Sequence, residues 1–138
     1  MACCPKSIIA EILKAKGAIK SVYFVACGGS YAGLHPGKYF LQSEAKKVTV
    51  DHYTANEFCH ATPKALGPNS IVITQSHSGT TPETVKAAEI AQKAGAASIV
   101  ITNKPESPLA QNGDYVLVPE KGSTANSGQA YSLKLAVE

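Results

Sequence analysis

A three-layer α/β/α sandwich around a parallel, doubly wound sheet is predicted by three observations. Short apolar runs alternate with helix-patterned segments along the whole chain. Of two such runs, Val22-Tyr23-Phe24-Val25-Ala26 is continuously apolar rather than alternating, as strands covered on both faces are, and Ser70-Ile71-Val72-Ile73-Thr74-Gln75 is built on Ile71, Val72 and Ile73. Each of the two passes directly into a loop of small glycine and hydroxyl residues that opens a helix. With 138 residues the chain is long enough to bury one core, and residues 1–138 are expected to form a single domain.

The elements follow in order. Residues 5–16 are predicted to be a helix, with Pro5 in its first turn, Ile8, Ile9, Ile12 and Leu13 as its apolar face, and Gly17 as its stop. The strand at 22–26 leads through Cys27-Gly28-Gly29-Ser30 into a helix reaching about Ala45, which Pro36-Gly37 is expected to bend or delay. Lys47–Asp51 is the second strand, followed by a short helical or irregular piece from Thr54 to His60. Strand three is Ser70–Gln75. The helix over residues 82–94 carries Ala87, Ile90, Ala91 and Ala94 at helical spacing and ends at Gly95. Strand four is 97–102, a short helix lies around 107–111, and strand five is 115–118. From about Ala125 the pattern reads as the start of another helix, cut off at Glu138.

Composition narrows the function. Hydrophobic residues make up 44% and charged residues 17% of the chain, ordinary values for a globular domain. The net charge of +3 is modest, and all 13 basic residues are lysines. Without arginine there is no bidentate reader of phosphate or guanine, so no nucleic-acid partner is expected. No apolar run approaches the roughly 20 residues needed to span a bilayer, and no signal-peptide pattern opens the chain. Cys3, Cys4, Cys27 and Cys59 form neither a metal-like pair nor a disulfide framework. Reduced thiols in a cytoplasmic protein are the expectation, with Cys27 a small buried residue and no metal or cofactor.

The chemistry concentrates in Ser76-His77-Ser78-Gly79-Thr80-Thr81-Pro82-Glu83-Thr84. The first amides of a helix point outward unpaired, and the helix dipole favours an anion beside them. Ser76, Ser78 and Thr81 add short hydroxyl donors, and Ser30 does the same in the loop after the first strand. The 76–81 loop holds no Lys or Arg, so neutral donors must carry it. A small phosphorylated ligand is implied, most simply a sugar phosphate. Helix capping is the plainer explanation of one such loop, and Thr80 with Glu83 matches a capping box. Two such loops, both at carboxyl ends of strands, favour a ligand site, because open α/β sheets bind there.

Other motifs fall short. Gly28-Gly29-Ser30-Tyr31-Ala32-Gly33 approaches the dinucleotide fingerprint, but Ser30 replaces the glycine that admits a pyrophosphate. The same stretch lacks the last glycine of a nucleophile elbow, and no His stands at a spacing that marks it as the base.

At Cys27-Gly28-Gly29-Ser30 and Ser76–Thr81 the chain resembles the sugar isomerase (SIS) domain family, whose fold is flavodoxin-like with a five-stranded parallel sheet. Tyr23–Ser30, Ala55-Asn56-Glu57-Phe58, Ser76–Ala88 and Lys104–Gln111 resemble the fructosamine deglycase branch in particular, over about residues 20–120. That resemblance implies phosphate binding by Ser30, Ser76, Ser78 and Thr81, with sugar contacts from Gly29, His77 and Ser127. It implies release of an amine from a 6-phosphorylated fructosamine to leave a hexose 6-phosphate, and a homo-oligomer. The family's catalytic glutamate and histidine lie in a second repeat around a His-Gly-Pro motif. This chain has one repeat and no such motif, so it is expected to be the N-terminal half of a two-repeat protein, with no catalytic residues of its own. A non-catalytic phosphosugar sensor, or the isomerase part of a glucosamine-6-phosphate synthase-like enzyme, is the alternative.

Overall fold

A computed structural model of the chain describes residues 5–118, apart from Ala18, Ala45 and Lys47. The segment from Ala125, with its expected helix and Ser127, lies outside the described residues.

Ten elements alternate along the described residues: α1 (Pro5–Lys16), β1 (Ser21–Ala26), α2 (Gly28–Glu44), β2 (Thr49–Thr54), α3 (Ala55–His60), β3 (Ser70–Gln75), α4 (Pro82–Lys93), β4 (Ala97–Ile101), α5 (Pro108–Gln111) and β5 (Tyr115–Leu117). All strand pairs are parallel, in the order β2-β1-β3-β4-β5. The order reverses between β1 and β3, which pair from Ser21↔Ser70 to Ala26↔Gln75.

Strand alternation divides the core between the two faces of the sheet. Val22, Phe24, Ile71, Ile73, Ile99 and Leu117 pack with Ile12 of α1 and Leu34 of α2. Tyr23, Val25 and Val72 face the other way, against Phe58 of α3 and Ala87 and Ala91 of α4. Ala88, Val100 and Leu109 continue that layer toward α5. The lack of apolar–polar alternation in β1 and β3 is thereby explained, since every residue of both strands is buried. Small alanines on α4 let the helix lie close to the sheet.

Three expectations change. The second strand does not end at Asp51 but runs from Thr49 to Thr54. Its pairing with β1 holds in step as far as Ala26↔Thr54, so tertiary pairing carries His52, Tyr53 and Thr54 into the ladder. Pro36 does not delay α2, which is one helix from Gly28 to Glu44 with the proline inside it. Burial of Leu34 and the packing of Tyr31 and Leu41 against the core outweigh the helix bond that proline removes. Cys27 is half-buried rather than buried, because it stands one residue past the strand.

Candidate functional site

The two hydroxyl loops emerge side by side. Ala26 and Gln75 are register partners at the carboxyl ends of β1 and β3, so Cys27 and Ser76 begin adjacent exits from the sheet. From there α2 crosses one face and α4 the other. A crevice between such diverging connections is where ligands bind in open α/β sheets.

On the β1 side, Gly28 takes φ +54°, a left-handed turn that a side chain rarely adopts. Ser30 lies in the first turn of α2, where its amide donates to the Cys27 carbonyl at 3.1 Å. It is half-buried, and its hydroxyl is bonded to no described residue. Gly29 is exposed beside it.

On the β3 side, Ser76 is only 4% exposed. Its hydroxyl is hydrogen-bonded to that of Thr81 at 3.0 Å and accepts from the Gly79 amide at 3.2 Å. Ser78, exposed, pairs with the Thr80 hydroxyl at 2.9 Å and accepts from the Thr80 amide. The capping box expected from Thr80 and Glu83 is not formed. Thr81 is the N-cap of α4 in extended conformation, and its side chain makes no capping bond. With Pro82 opening the helix and Thr81 turned toward Ser76, the first amides of α4 are left without a side-chain acceptor.

The β3–α4 loop is held from behind. The His77 carbonyl accepts from the Asn103 amide at 3.2 Å and from the Thr102 hydroxyl at 3.4 Å. The Gly79 carbonyl accepts from the Leu109 amide at 3.1 Å. Gly79 has φ +72°, and a Cβ there would collide with the Ser107 side chain. The backbone of His77 is thus committed to support, while its imidazole is exposed. Sequence reasoning missed Thr102 and Ser107 as supports, since their roles depend on the β4–α5 loop folding against this one. Gln75 was legible only as the last residue of a strand; its long polar side chain beside Ile71 and Ile73 on one face of a buried strand was the signal.

Beneath the first turn of α4, the Thr84 hydroxyl donates to Cys27 Sγ at 3.7 Å, and the Cys59 thiol donates to the Glu83 carbonyl at 3.5 Å. Burial pushes the Cys59 thiol up, so it is not a thiolate nucleophile at neutral pH. Among the described residues no three His, Cys, Asp or Glu side chains gather as metal ligands would, and no helix is long and apolar enough to cross a membrane.

A cavity of about 570 Å³ lies at the opposite ends of the strands, among Lys20, Ser21, Thr49, Asp51 and Ser70. The hydroxyl loops are marked by their chemistry: neutral donors and free helix amides suit an oxyanion.

Comparison with known proteins gives this geometry a context. The chain is 52% identical over 107 residues to fructosamine deglycase FrlB of Bacillus subtilis (strain 168), covering 78% of the chain and 33% of that relative. It is 35% identical over 134 residues to a glutamine–fructose-6-phosphate aminotransferase (isomerizing) of Geobacillus kaustophilus (strain HTA426), covering 96% of the chain but 21% of the enzyme. The crystal structure of a candidate phosphosugar isomerase from Salmonella typhimurium LT2 superposes with a TM-score of 0.90 at 47% identity, over 97% of this chain and 42% of that one. The chain therefore spans well under half the length of these relatives. The SIS domain model matches residues 18–136, and the chain belongs to the SIS domain family.

Proposed function

We propose that this chain is the phosphosugar-binding half of a sugar-phosphate deglycase, which releases an amine from a 6-phosphorylated fructosamine to give a hexose 6-phosphate. The observation that carries the reading is the Ser76–Thr81 pair at the switch point, which turns Thr81 away from capping and leaves the α4 amides to an anion. Ser30, Ser76, Ser78 and Thr81 are assigned to the phosphate, and Gly29, His77 and Ser127 to the sugar. The 52% identity to the deglycase supports the fructosamine rather than another phosphosugar.

In this reading the whole protein carries two such repeats and works as a homo-oligomer in the cytoplasm, where charged sugar phosphates are retained. This half anchors the phosphate so that its binding energy orients the reacting carbons. A carboxylate in the second repeat moves a proton between C1 and C2. Water then supplies the oxygen at C1 as the amine leaves. An isomerase role within an aminotransferase-like enzyme is the second reading, favoured by the match to the Geobacillus enzyme along 96% of the chain.

Calorimetric titration with glucose 6-phosphate, with unphosphorylated glucose as the control, tests the reading. Phosphate-dependent heat is the expected result, and its absence would reduce these hydroxyls to loop structure.

A further inference from the structure

Gln75 is the last residue of β3 and is only 8% exposed, yet its carboxamide Oε1 is buried without a hydrogen-bond partner among the described residues. A buried polar atom left unpaired is costly and calls for an explanation. Its place in the sheet supplies one. Alternation puts Gln75 on the face of Ile71 and Ile73, the face that α2 covers. Its register partners are Ala26 on β1 and Ile101 on β4, both in that same cluster. Ala26 carries only a methyl group and stands two residues before α2 begins. The carboxamide thus lies at the carboxyl end of the sheet, beneath the roots of the 27–30 and 76–81 segments and on the α2 side.

The chemistry of the two groups divides the ligand between them. Phosphate oxygens are acceptors and are served by the hydroxyls and amides of the two loops. A carbonyl oxygen repels them and requires a donor. Resting on the phosphosugar reading above, we propose that Gln75 is a specificity-determining residue, whose Oε1 accepts a hydrogen bond from a hydroxyl of the sugar. Gln75 therefore reads the sugar while the serines and threonines read the phosphate.

The test compares the full chain with Gln75→Met, a near-isostere that removes the acceptor without opening a cavity. Each is titrated with glucose 6-phosphate and with inorganic phosphate, and each is melted. The variant is expected to bind glucose 6-phosphate about tenfold more weakly, the loss of roughly one hydrogen bond. Its affinity for inorganic phosphate should be unchanged. Its melting temperature should not fall, because an apolar group replaces an unpaired one. Equal glucose 6-phosphate affinity in both chains would overturn the role of Gln75 and leave the phosphosugar reading standing. A parallel loss of both ligands, a lower melting temperature or failure to fold would assign Gln75 a structural part and also overturn it. If the parent chain binds no glucose 6-phosphate, both readings fall together.

Discussion

The hydroxyls of Ser76 and Thr81 meet at 3.0 Å across the base of the β3–α4 loop, and this pairing takes Thr81 out of the role its position would otherwise give it. An N-cap threonine normally satisfies an amide of its own helix. Here the amides stay available, and the Gly79 amide is drawn onto Ser76 instead. The loop is ordered by its own hydroxyls but not self-satisfied at the helix end.

Ser78 is the cleanest probe of that end. It is exposed, and its hydroxyl's hydrogen bonds among the described residues go to Thr80, so Ser78→Ala should leave the melting temperature nearly unchanged. Affinity for glucose 6-phosphate should fall by roughly 1–3 kcal/mol, since a charged acceptor loses a donor. Calorimetry of the variant beside the parent checks this, and unchanged affinity would remove Ser78 from the site.

Gly79→Ala addresses the scaffold behind the loop. The left-handed φ of +72° and the collision with Ser107 act together, so the chain should lose about 2–4 kcal/mol of stability. Urea denaturation measures it. A loss below about 0.5 kcal/mol would mean that the β4–α5 loop shifts freely, contrary to the bonds from Asn103 and Leu109.

Asp114 and Ser98 tie the last crossover to the sheet. Asp114 Oδ2 accepts from the Ser98 amide at 2.9 Å, and the Asp114 amide donates to the Ser98 carbonyl at 2.9 Å. Asp114→Ala leaves a buried amide unpaired and should cost about 1–3 kcal/mol. Asp114→Asn keeps a carbonyl acceptor and should cost distinctly less. Equal losses in the two variants would argue that the carboxylate charge, not the acceptor, matters.

His52 should give stability a pH dependence. Burial, and then the positive neighbours His35 and Lys38, lower its pKa from 6.5 to about 4, while the Tyr31 ring stacks on it at 4.0 Å. The folded state disfavours the charged form. The contribution is therefore complete above pH 6.5 and is lost as pH falls through that value toward 4. Partial exposure screens the effect, so about 1 kcal/mol is expected between pH 7.5 and 4.5. Urea midpoints across this range should show the slope, and His52→Phe, which retains the ring stack, should flatten it.

Much of this architecture was legible in residues alone. The unbroken apolar run Val22–Ala26 of β1 announced a strand covered on both sides, and Gly95, at φ +84°, marked the end of α4. The hydroxyls at 30, 76, 78 and 81 were visible because small polar residues follow buried strands there. Less was legible where the decision was tertiary. Nothing local says that Tyr53 and Thr54 join β2, since their partners on β1 lie in another part of the chain. Thr80-x-x-Glu83 has the pattern of a capping box, but Ser78 and Ser76 compete for the threonine hydroxyls and win. The isolation of Gln75 Oε1 appears only once Ala26 and Ile101 stand beside it.

Because the order of strands reverses between β1 and β3, the segments around Ser30 and Ser76 become neighbours only after β2 and α3, which separate them along the chain, have been folded out of the way. A chain in which β1 and β3 have not paired cannot present both halves of the crevice. Any ligand that engages both is selective for the paired strands, and at a hundredfold excess over its dissociation constant it would deepen the native state by about 2.7 kcal/mol. A metabolite could in this way govern how long the protein survives as well as what it does.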